Sequence, residues 1–255
     1  MKKWSWVFIA IILIVFLILI NNKNRNSNSG SSPRVQKNFP TLAWPAELPA
    51  DATVEPLERR SAKNYYIVFD GSGSMESMEC ADNQKKITVA KKAVQEFAAK
   101  IPNDANIGLA VFDGQGLSER LPLGTENRPQ FFSQIDGISA NGGTPLKSAV
   151  SLASKKLAQQ AARQMGYGEY HLVIVTDGDP SEGEDPRPAV EALLANSPTL
   201  LHTIGFCIGE NHALNQKGRV FYVSATSPEE LRQGLTEVLA EATSFNLDGF
   251  VKTQH

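Results

Sequence analysis

The stretch VFDGSGSMES, residues 68–77, changes character in its middle. It begins as the end of the apolar run YYIVFD and continues with a carboxylate and two hydroxyls at alternate positions, Asp70, Ser72 and Ser74, with glycines between them. A short apolar run is typical of a buried strand, and glycines let the backbone turn tightly and approach a ligand closely. The stretch therefore predicts a polar loop at the carboxyl end of a buried strand.

Apolar runs and helical periodicities alternate along the rest of the chain. The run HLVIVTDG is apolar on both faces, as a central parallel strand should be. The predicted strands are 65–70, 106–113, 118–124, 171–178, 199–206 and 219–225, and the predicted helices are 84–101, 127–138, 144–165 and 227–242. This alternation predicts an α/β fold: a Rossmann-like, doubly wound, mostly parallel central sheet with helices on both faces.

The residues before this domain are predicted to form a membrane anchor and a tether. Residues 4–20 carry no charge and would cover about 25 Å as a helix. No small-residue cleavage site follows, which favours an uncleaved transmembrane helix over a removed signal peptide. The following segment is rich in Asn, Ser and Pro, and Trp44 is expected in an extended spacer rather than docked on the domain. The expected parts are an anchor at 1–20, a flexible linker at 21–61, a domain at 62–245 and a tail at 246–255.

Charged residues are unevenly distributed along the chain. Residues 1–39 hold six of the 25 Lys and Arg and none of the 27 Asp and Glu, so residues 40–255 carry 19 basic and 27 acidic side chains, a net charge of −8. An acidic domain without a basic stripe excludes nucleic acid as an expected partner. Positive residues flank the apolar run on both sides, so charge alone does not decide its orientation.

Three polar clusters follow predicted strands or precede a predicted helix, where ligands of such sheets bind. They contribute Asp70, Ser72 and Ser74 after the first strand, Thr144 before the long helix, and Asp177 after the central strand. Hard divalent cations prefer oxygen ligands, and Mg²⁺ takes few protein oxygens while keeping several waters. We therefore expect a metal site in which three hydroxyls contact the cation, two carboxylates bind it directly or through water, and one coordination position stays open.

The pattern DxSxS at 70–74, Thr144 in GGTPL and Asp177 in TDG together resemble the metal-ion-dependent adhesion site of von Willebrand factor type A domains. The resemblance covers residues 62–245 and all five positions. It implies a Rossmann-like sheet with Mg²⁺ or Mn²⁺ at its top. It also implies a protein partner whose Asp or Glu carboxylate fills the open position.

Each motif alone has a simpler interpretation. DxSxS and TDGD are common turn patterns, and Thr144 before Pro145 is typical of a helix N-cap. Asp113, at the end of another strand, is interpreted as part of an Asp-Gly turn, and Asp179 as a solvated acid. The four histidines, His171, His202, His212 and His255, lack ligand spacing, so no zinc site is expected. The joint occurrence of the three motifs at consistent loops favours the metal site.

Cys80 and Cys207 are the two cysteines of the chain, and both are predicted near the edge of the sheet that carries the metal motifs. Two cysteines do not define a disulfide framework. The sequence leaves open whether they form an intramolecular disulfide or remain two unpaired thiols.

The expected function is that of a membrane-tethered module that binds a protein partner through Mg²⁺, on the periplasmic or extracellular side of a cell membrane. An adaptor subunit of an AAA-type ATPase or of an envelope assembly would use the same site. An enzyme that transfers phosphoryl groups to Asp70 is disfavoured because position 72 is not Asp, no basic residue is expected beside the motif, and no GxxxxGK[ST] loop is present. The chain is therefore expected not to be an enzyme.

Overall fold

The structure is a computed structural model of the chain and describes residues 44–45 and 55–243. Within these residues, six strands and five α-helices alternate, and a short 3₁₀ turn, Gly73–Glu76, follows the first strand. The strands are β1 (Lys63–Asp70), β2 (Asn106–Asp113), β3 (Gly116–Gly124), β4 (Glu169–Thr176), β5 (Leu200–Phe206) and β6 (Phe221–Ala225). The helices are α1 (Lys86–Lys100), α2 (Arg128–Asp136), α3 (Leu146–Arg163), α4 (Arg187–Asn196) and α5 (Pro228–Thr243).

The strands form one twisted sheet in the order β3-β2-β1-β4-β5-β6, which confirms the predicted doubly wound fold. All neighbouring strands run parallel except β3, which returns antiparallel to β2 at one edge. Strand β1 lies in the middle, and Val68 pairs with Ala110 of β2 and Ile174 of β4. The central position of β1 places the polar loop that follows Asp70 between neighbouring strand ends.

Alternate side chains of β1 enter two separate cores. Tyr65, Ile67 and Phe69 pack with α1, α2 and α5 on one face of the sheet. Tyr66 and Val68 pack with α3 and α4 on the other face. Because successive side chains of a strand point to opposite faces, one apolar run can contribute to both cores. The sheet therefore has helices on both faces, and the loops at its edge are held by two packed layers.

All six strands of the sequence prediction are present, with ends that differ by one or two residues, and the four predicted helices are present as well. Helix α4 was not predicted. It has only ten residues, it begins with Arg-Pro, and Val190 and Leu193 are its buried side chains. Two buried positions give a weak periodic signal, although α2, which has nine residues and also two buried side chains, was predicted.

Trp44 corrects one prediction. It was expected in an extended spacer, but its ring packs edge-on against Tyr170 at a centroid distance of 5.4 Å and joins the core on the α3 and α4 face. The predicted anchor at 1–20 and the tail at 246–255 lie outside the described residues. In the part of the chain that the structure describes, no helix is long and apolar enough to span a membrane.

Candidate metal site at the carboxyl edge of the sheet

Asp70, the last residue of β1, is fully buried and held by two hydrogen bonds. The backbone N–H of Ser72 donates to Oδ1 at 2.8 Å, and the Thr176 hydroxyl donates to Oδ2 at 2.5 Å. Burial raises the pKa of the Asp70 carboxyl to about 6, although both hydrogen bonds lower it. Within residues 44–45 and 55–243, no cationic side chain lies against this buried and oriented carboxylate, which favours a bound cation as its counter-charge.

The backbone of the loop after Asp70 is packed too closely for a side chain at Gly71. A methyl group there would lie 2.8 Å from Ile138 Cγ2 and 3.1 Å from the carbonyl oxygen of Phe112. The N–H of Gly71 donates to that same carbonyl at 2.8 Å. Gly71 therefore lets the loop cross the end of β2 and bring Ser72 over Asp70.

The two serine hydroxyls and the second carboxylate form a chain of hydrogen bonds. Ser72 Oγ lies 2.9 Å from Ser74 Oγ, and Ser74 Oγ donates to Asp177 Oδ1 at 2.6 Å. Ser72 and Asp177 are buried, whereas Ser74 is exposed. The structure therefore brings oxygens from two loops together at a point that solvent reaches beside Ser74.

Thr144 borders the same stretch of backbone from a third loop. A methyl group built on Gly178 would lie 3.4 Å from Ser74 Oγ and 3.7 Å from Thr144 Oγ1, so both hydroxyls border the backbone that follows Asp177. The alternative role of Thr144 as a helix cap is not observed: helix α3 begins at Leu146, and no side chain of the preceding residue caps it. The hydroxyl of Thr144 is thus available to the site rather than to the helix.

Lys86 contradicts the expectation that no basic residue lies beside the motif. Its ammonium donates to Asp177 Oδ2 at 3.1 Å, and both side chains are buried. Burial lowers the pKa of Lys86, but the hydrogen bond and charge of Asp177 outweigh burial and raise it above its usual value. The sequence carried a signal for this: Lys86 falls four and eight residues before Ala90 and Val94, on the buried side of α1.

The loop after Asp177 braces Thr144 and caps helix α3. Ser181 Oγ accepts a hydrogen bond from the Thr144 N–H at 2.9 Å, and the Ser181 N–H donates to the Thr144 carbonyl at 3.0 Å. The carboxylate of Glu184 accepts from both the N–H and the hydroxyl of Ser148 at 2.8 Å. These contacts join loops far apart in sequence, so no local pattern could have predicted them.

His212 supports the same loop from the other side. Its Nε2 lies 3.0 Å from the carbonyl oxygen of Gly178, and its Nδ1 accepts from the Leu214 N–H at 3.3 Å. A ring that accepts at Nδ1 and donates at Nε2 is neutral. Burial lowers the pKa of His212, which agrees with that neutral form.

The remaining candidates have structural roles. Asp113 accepts from the Gln115 N–H, which agrees with its interpretation as a turn residue. It also forms an ion pair with Arg120 at 2.9 Å, which was not predicted. Asp179 has an exposed side chain, as predicted. His171 and His202, which looked unrelated in sequence, are adjacent across β4 and β5, with ring nitrogens 3.4 Å apart.

The donor set fits a hard divalent cation. The five predicted residues supply two carboxylates and three hydroxyls, all oxygen donors of the kind that Mg²⁺ and Mn²⁺ bind. Among the described residues, no group of three or more His, Cys, Asp or Glu could hold a metal ion, so a zinc-type site is not seen there. The fit rests on hydroxyls and on two buried carboxylates, of which Asp177 has Lys86 as a cationic neighbour within the described part of the chain.

Residues 64–237 match the profile of the von Willebrand factor type A domain. The chain is also similar to YwmD of Bacillus subtilis (strain 168), with 29% identity over 195 residues that cover 69% of this chain and 84% of YwmD. The extent of the profile match agrees with the described fold, which begins with β1 and ends with α5.

Two solved structures share the fold at low identity. One is an aerotolerance-related membrane protein from Bacteroides fragilis, with a TM-score of 0.52 and 17% identity over 69% of this chain and all of that one. The other is the pilus adhesin SpaC from Lactobacillus rhamnosus GG, with a TM-score of 0.56 and 14% identity over 74% of this chain and 31% of SpaC. At these identities the likeness establishes the fold alone.

Proposed function

Because the chain belongs to the von Willebrand factor type A domain family, we propose that its domain binds a protein partner through a divalent cation. The cation, Mg²⁺ or Mn²⁺, would be held by Asp70, Ser72, Ser74, Thr144 and Asp177. When bound, it supplies an electrophilic centre that accepts a carboxylate oxygen from an Asp or Glu of the partner. The observation that carries the proposal is the convergence of hydroxyls from two loops beside the Asp177 carboxylate.

Each of the five proposed ligands has a part in this function. Asp70 and Asp177 provide the negative charge, and the neutral hydroxyls of Ser72, Ser74 and Thr144 add oxygens without further charge. Neutral ligands leave more of the positive charge of a cation for an incoming carboxylate. The exposed position of Ser74 gives the partner access to the site.

The direct test is Mn²⁺ binding to the purified chain, measured by calorimetry and by the rise in melting temperature that a ligand of the folded state produces. Asp70→Ala should abolish binding, and Thr144→Ala should weaken it by roughly tenfold, the loss of one ligand interaction of about 1.4 kcal/mol. Asp179→Ala is the matched control, because this acid is exposed and close in sequence to Asp177. Unchanged Mn²⁺ binding in a folded Asp70→Ala protein would reject the site.

An enzymatic role for Asp70 is disfavoured by its contacts. A nucleophilic carboxylate needs an oxygen that a substrate can reach, whereas Asp70 is fully buried and both of its oxygens accept hydrogen bonds. Lys86, the basic group that was not expected beside the motif, is paired with Asp177 rather than Asp70. We therefore propose a binding role without turnover, and hydrolysis of a generic phosphate ester that disappears in Asp70→Asn would contradict it.

We also propose that residues 1–20 anchor the chain in a membrane, with the domain outside the cytoplasm. The support is the uncharged run at 4–20 together with the two solved structures of similar fold, one of a membrane protein and one of a pilus adhesin. Protease added to intact cells or spheroplasts should remove the domain, and a protected domain would reject this orientation. An adaptor role in an ATPase or envelope assembly would instead be indicated by the identity of the captured partner.

A further inference from the structure

Cys80 and Cys207 come from distant parts of the sequence and meet beside the candidate metal site. The Cys207 thiol donates to the carbonyl oxygen of Glu79 at 3.1 Å, and this carbonyl belongs to the peptide group bonded to Cys80. The Cys80 side chain is close enough to the Cys207 thiol to help raise its pKa. Both cysteines are partly buried and pack against the same apolar core.

The backbone at both cysteines is in the left-handed region, with φ of 54° at Cys80 and 63° at Cys207. This conformation is uncommon for residues with a side chain and persists where surrounding contacts impose it. Cys207 is held by its N–H, which donates to the carbonyl of Ala225 in β6 at 2.7 Å. Its sulfur is thereby directed across to the loop that contains Cys80.

We propose that Cys80 and Cys207 form a disulfide that ties the loop after β1 to the end of β5. A disulfide requires Cα atoms within about 7 Å. The Cys207 sulfur lies 3.1 Å from the carbonyl oxygen of the peptide group bonded to Cys80, so the two backbones run close together. Rotation of the two side chains would then bring the sulfurs into bonding distance. Residues 71–85, between β1 and α1, carry Ser72 and Ser74, so the bond would restrain the loop that contains two of the proposed metal ligands.

The reaction needs a disulfide oxidant, such as oxidised glutathione or a thiol oxidoreductase in its disulfide form. One thiolate attacks the oxidant and forms a mixed disulfide, and the second thiol then attacks and releases it. The two cysteines lose two protons and two electrons, and the oxidant gains both and leaves as two thiols. Burial, and then the Cys80 side chain, raises the pKa of the Cys207 thiol to about 12, which disfavours Cys207 as the first nucleophile.

The test compares reduced and oxidised forms of the full-length chain. The purified protein is reduced, freed of reductant and incubated with oxidised glutathione, and its peptides are then mapped without reduction. We expect one linked pair of peptides containing Cys80 and Cys207. We also expect a melting temperature raised by roughly 10 °C and slower amide exchange in residues 71–85. This comparison uses the wild-type chain, so it does not depend on a variant that folds.

Cys80→Ser and Cys207→Ser provide the matched controls, and treatment with the oxidant should give neither variant the rise in melting temperature. Two thiols that remain fully open to alkylation after treatment, or separate glutathione adducts on each cysteine, would overturn the proposal. If the disulfide forms but amide exchange in residues 71–85 is not slower, the claim that it restrains this loop is wrong. None of these readouts involves a metal, so the outcome is independent of the proposed binding function.

Discussion

At the scale of single residues, the ion pair between Lys86 and Asp177 is the most informative contact of the site. The Lys86 ammonium lies 3.1 Å from Asp177 Oδ2 in a buried environment, so it already neutralises one of the two carboxylates. A divalent cation at the same carboxylate would be repelled by this charge. The lysine therefore stabilises the metal-free domain and limits the affinity for metal.

Lys86→Met should have two opposite effects. Without metal, we expect the free energy of unfolding to fall by about 3 kcal/mol, because a buried carboxylate loses its partner. Affinity for Mn²⁺ should rise by roughly tenfold, because the competing charge is gone. Chemical denaturation with and without Mn²⁺ measures both effects.

Lys85→Met is the matched control for this prediction. Lys85 is the neighbouring lysine, but its ion pair with Glu76 is exposed on both sides. Exposed pairs contribute little to stability, so this variant should behave like the wild type. A Lys86→Met protein with unchanged stability and weaker Mn²⁺ binding would contradict the role assigned to Lys86.

The residues of the site divide into those that sequence could predict and those that it could not. Asp70, Ser72, Ser74, Thr144 and Asp177 were predicted because each lies in a short motif next to a strand or helix end. Their supporting partners Lys86, Thr176, Ser181, Glu184 and His212 were not, because each contact joins segments separated by tens of residues. Such contacts depend on how distant segments pack; the helical spacing of Lys86 indicated only that it lies on the buried side of α1, not that it pairs with Asp177.

At the scale of elements, the beginning of helix α3 depends on the loop that follows β4. Helix starts leave backbone N–H groups without partners inside the helix. Here the carboxylate of Glu184 accepts from Ser148, while Ser181 bonds to both backbone groups of Thr144. One loop therefore fixes both the helix and the position of the Thr144 hydroxyl.

Glu184→Ala should lower the free energy of unfolding by about 1 kcal/mol, the usual cost of losing a helix cap. It should also weaken Mn²⁺ binding, because the brace on Thr144 loosens. Glu182→Ala, on the same loop and exposed, is the matched control and should change neither quantity. Equal stabilities for the two variants in urea denaturation would show that Glu184 does not act as the cap.

A stack of rings crosses β1, β4, β5 and β6 on the face that packs with α1 and α5. His171 stacks on Tyr65 at a centroid distance of 4.6 Å, and His202 stacks on Phe221 at 5.0 Å. Burial, and then the charge of Lys63, lowers the pKa of His171 to about 4. Burial, and then His171, lowers the pKa of His202 to about 3.

The pH dependence of stability follows from these lowered values. In the unfolded chain histidine binds a proton near pH 6.5, whereas the folded domain keeps both rings neutral down to about pH 4. The contribution of the two neutral histidines to the free energy of unfolding is therefore fully present above about pH 6.5. It falls as the pH drops towards 4. His171 alone should contribute a loss of about 3 kcal/mol.

Urea denaturation of the wild type and of His171→Phe, compared between about pH 7 and pH 4, measures this loss. The variant should lose less stability on acidification. Glu169, 3.7 Å from His171, is present in both proteins. Asp70, whose pKa is raised and which therefore acts in the opposite direction, is present in both as well. Parallel stability curves would show that His171 does not titrate on unfolding.

Secondary structure was predicted well where periodicity is long or the apolar run is continuous. The six strands and helices α1, α3 and α5 meet this condition. Of the two short helices, α2 was predicted and α4 was not. Trp44 was missed for a related reason, because it lies in a segment without a period and packs on Tyr170 through a contact distant in sequence. Local patterns thus predict the strands of the sheet, but they do not predict contacts between segments that are distant in sequence.

At the scale of the whole molecule, charge constrains how a partner can bind. Residues 40–255 carry a net charge of −8, so a carboxylate of a partner is repelled at long range unless a cation neutralises the site. Cross-linking of the membrane-bound chain should therefore capture the partner in Mg²⁺ and lose it in EDTA. The captured band is then identified by mass spectrometry.

Asp70→Ala should lose the same cross-link in Mg²⁺, and Asp179→Ala should keep it. The partner should also lose binding when one exposed Asp or Glu of its own is replaced. A cross-link that is as strong in EDTA as in Mg²⁺ would mean that the interaction does not use the cation.

The parallel direction of the sheet has a practical consequence for handling the protein. Strand β1 starts at Lys63 on the edge opposite the candidate site, and α5 returns from the end of β6 over 16 residues, about 24 Å, towards that same edge. Both ends of the fold therefore leave the binding loops clear. A fluorescent protein or a biotin tag fused after Thr243, or a sensor surface coupled ahead of Lys63, should leave the loops open to a soluble partner.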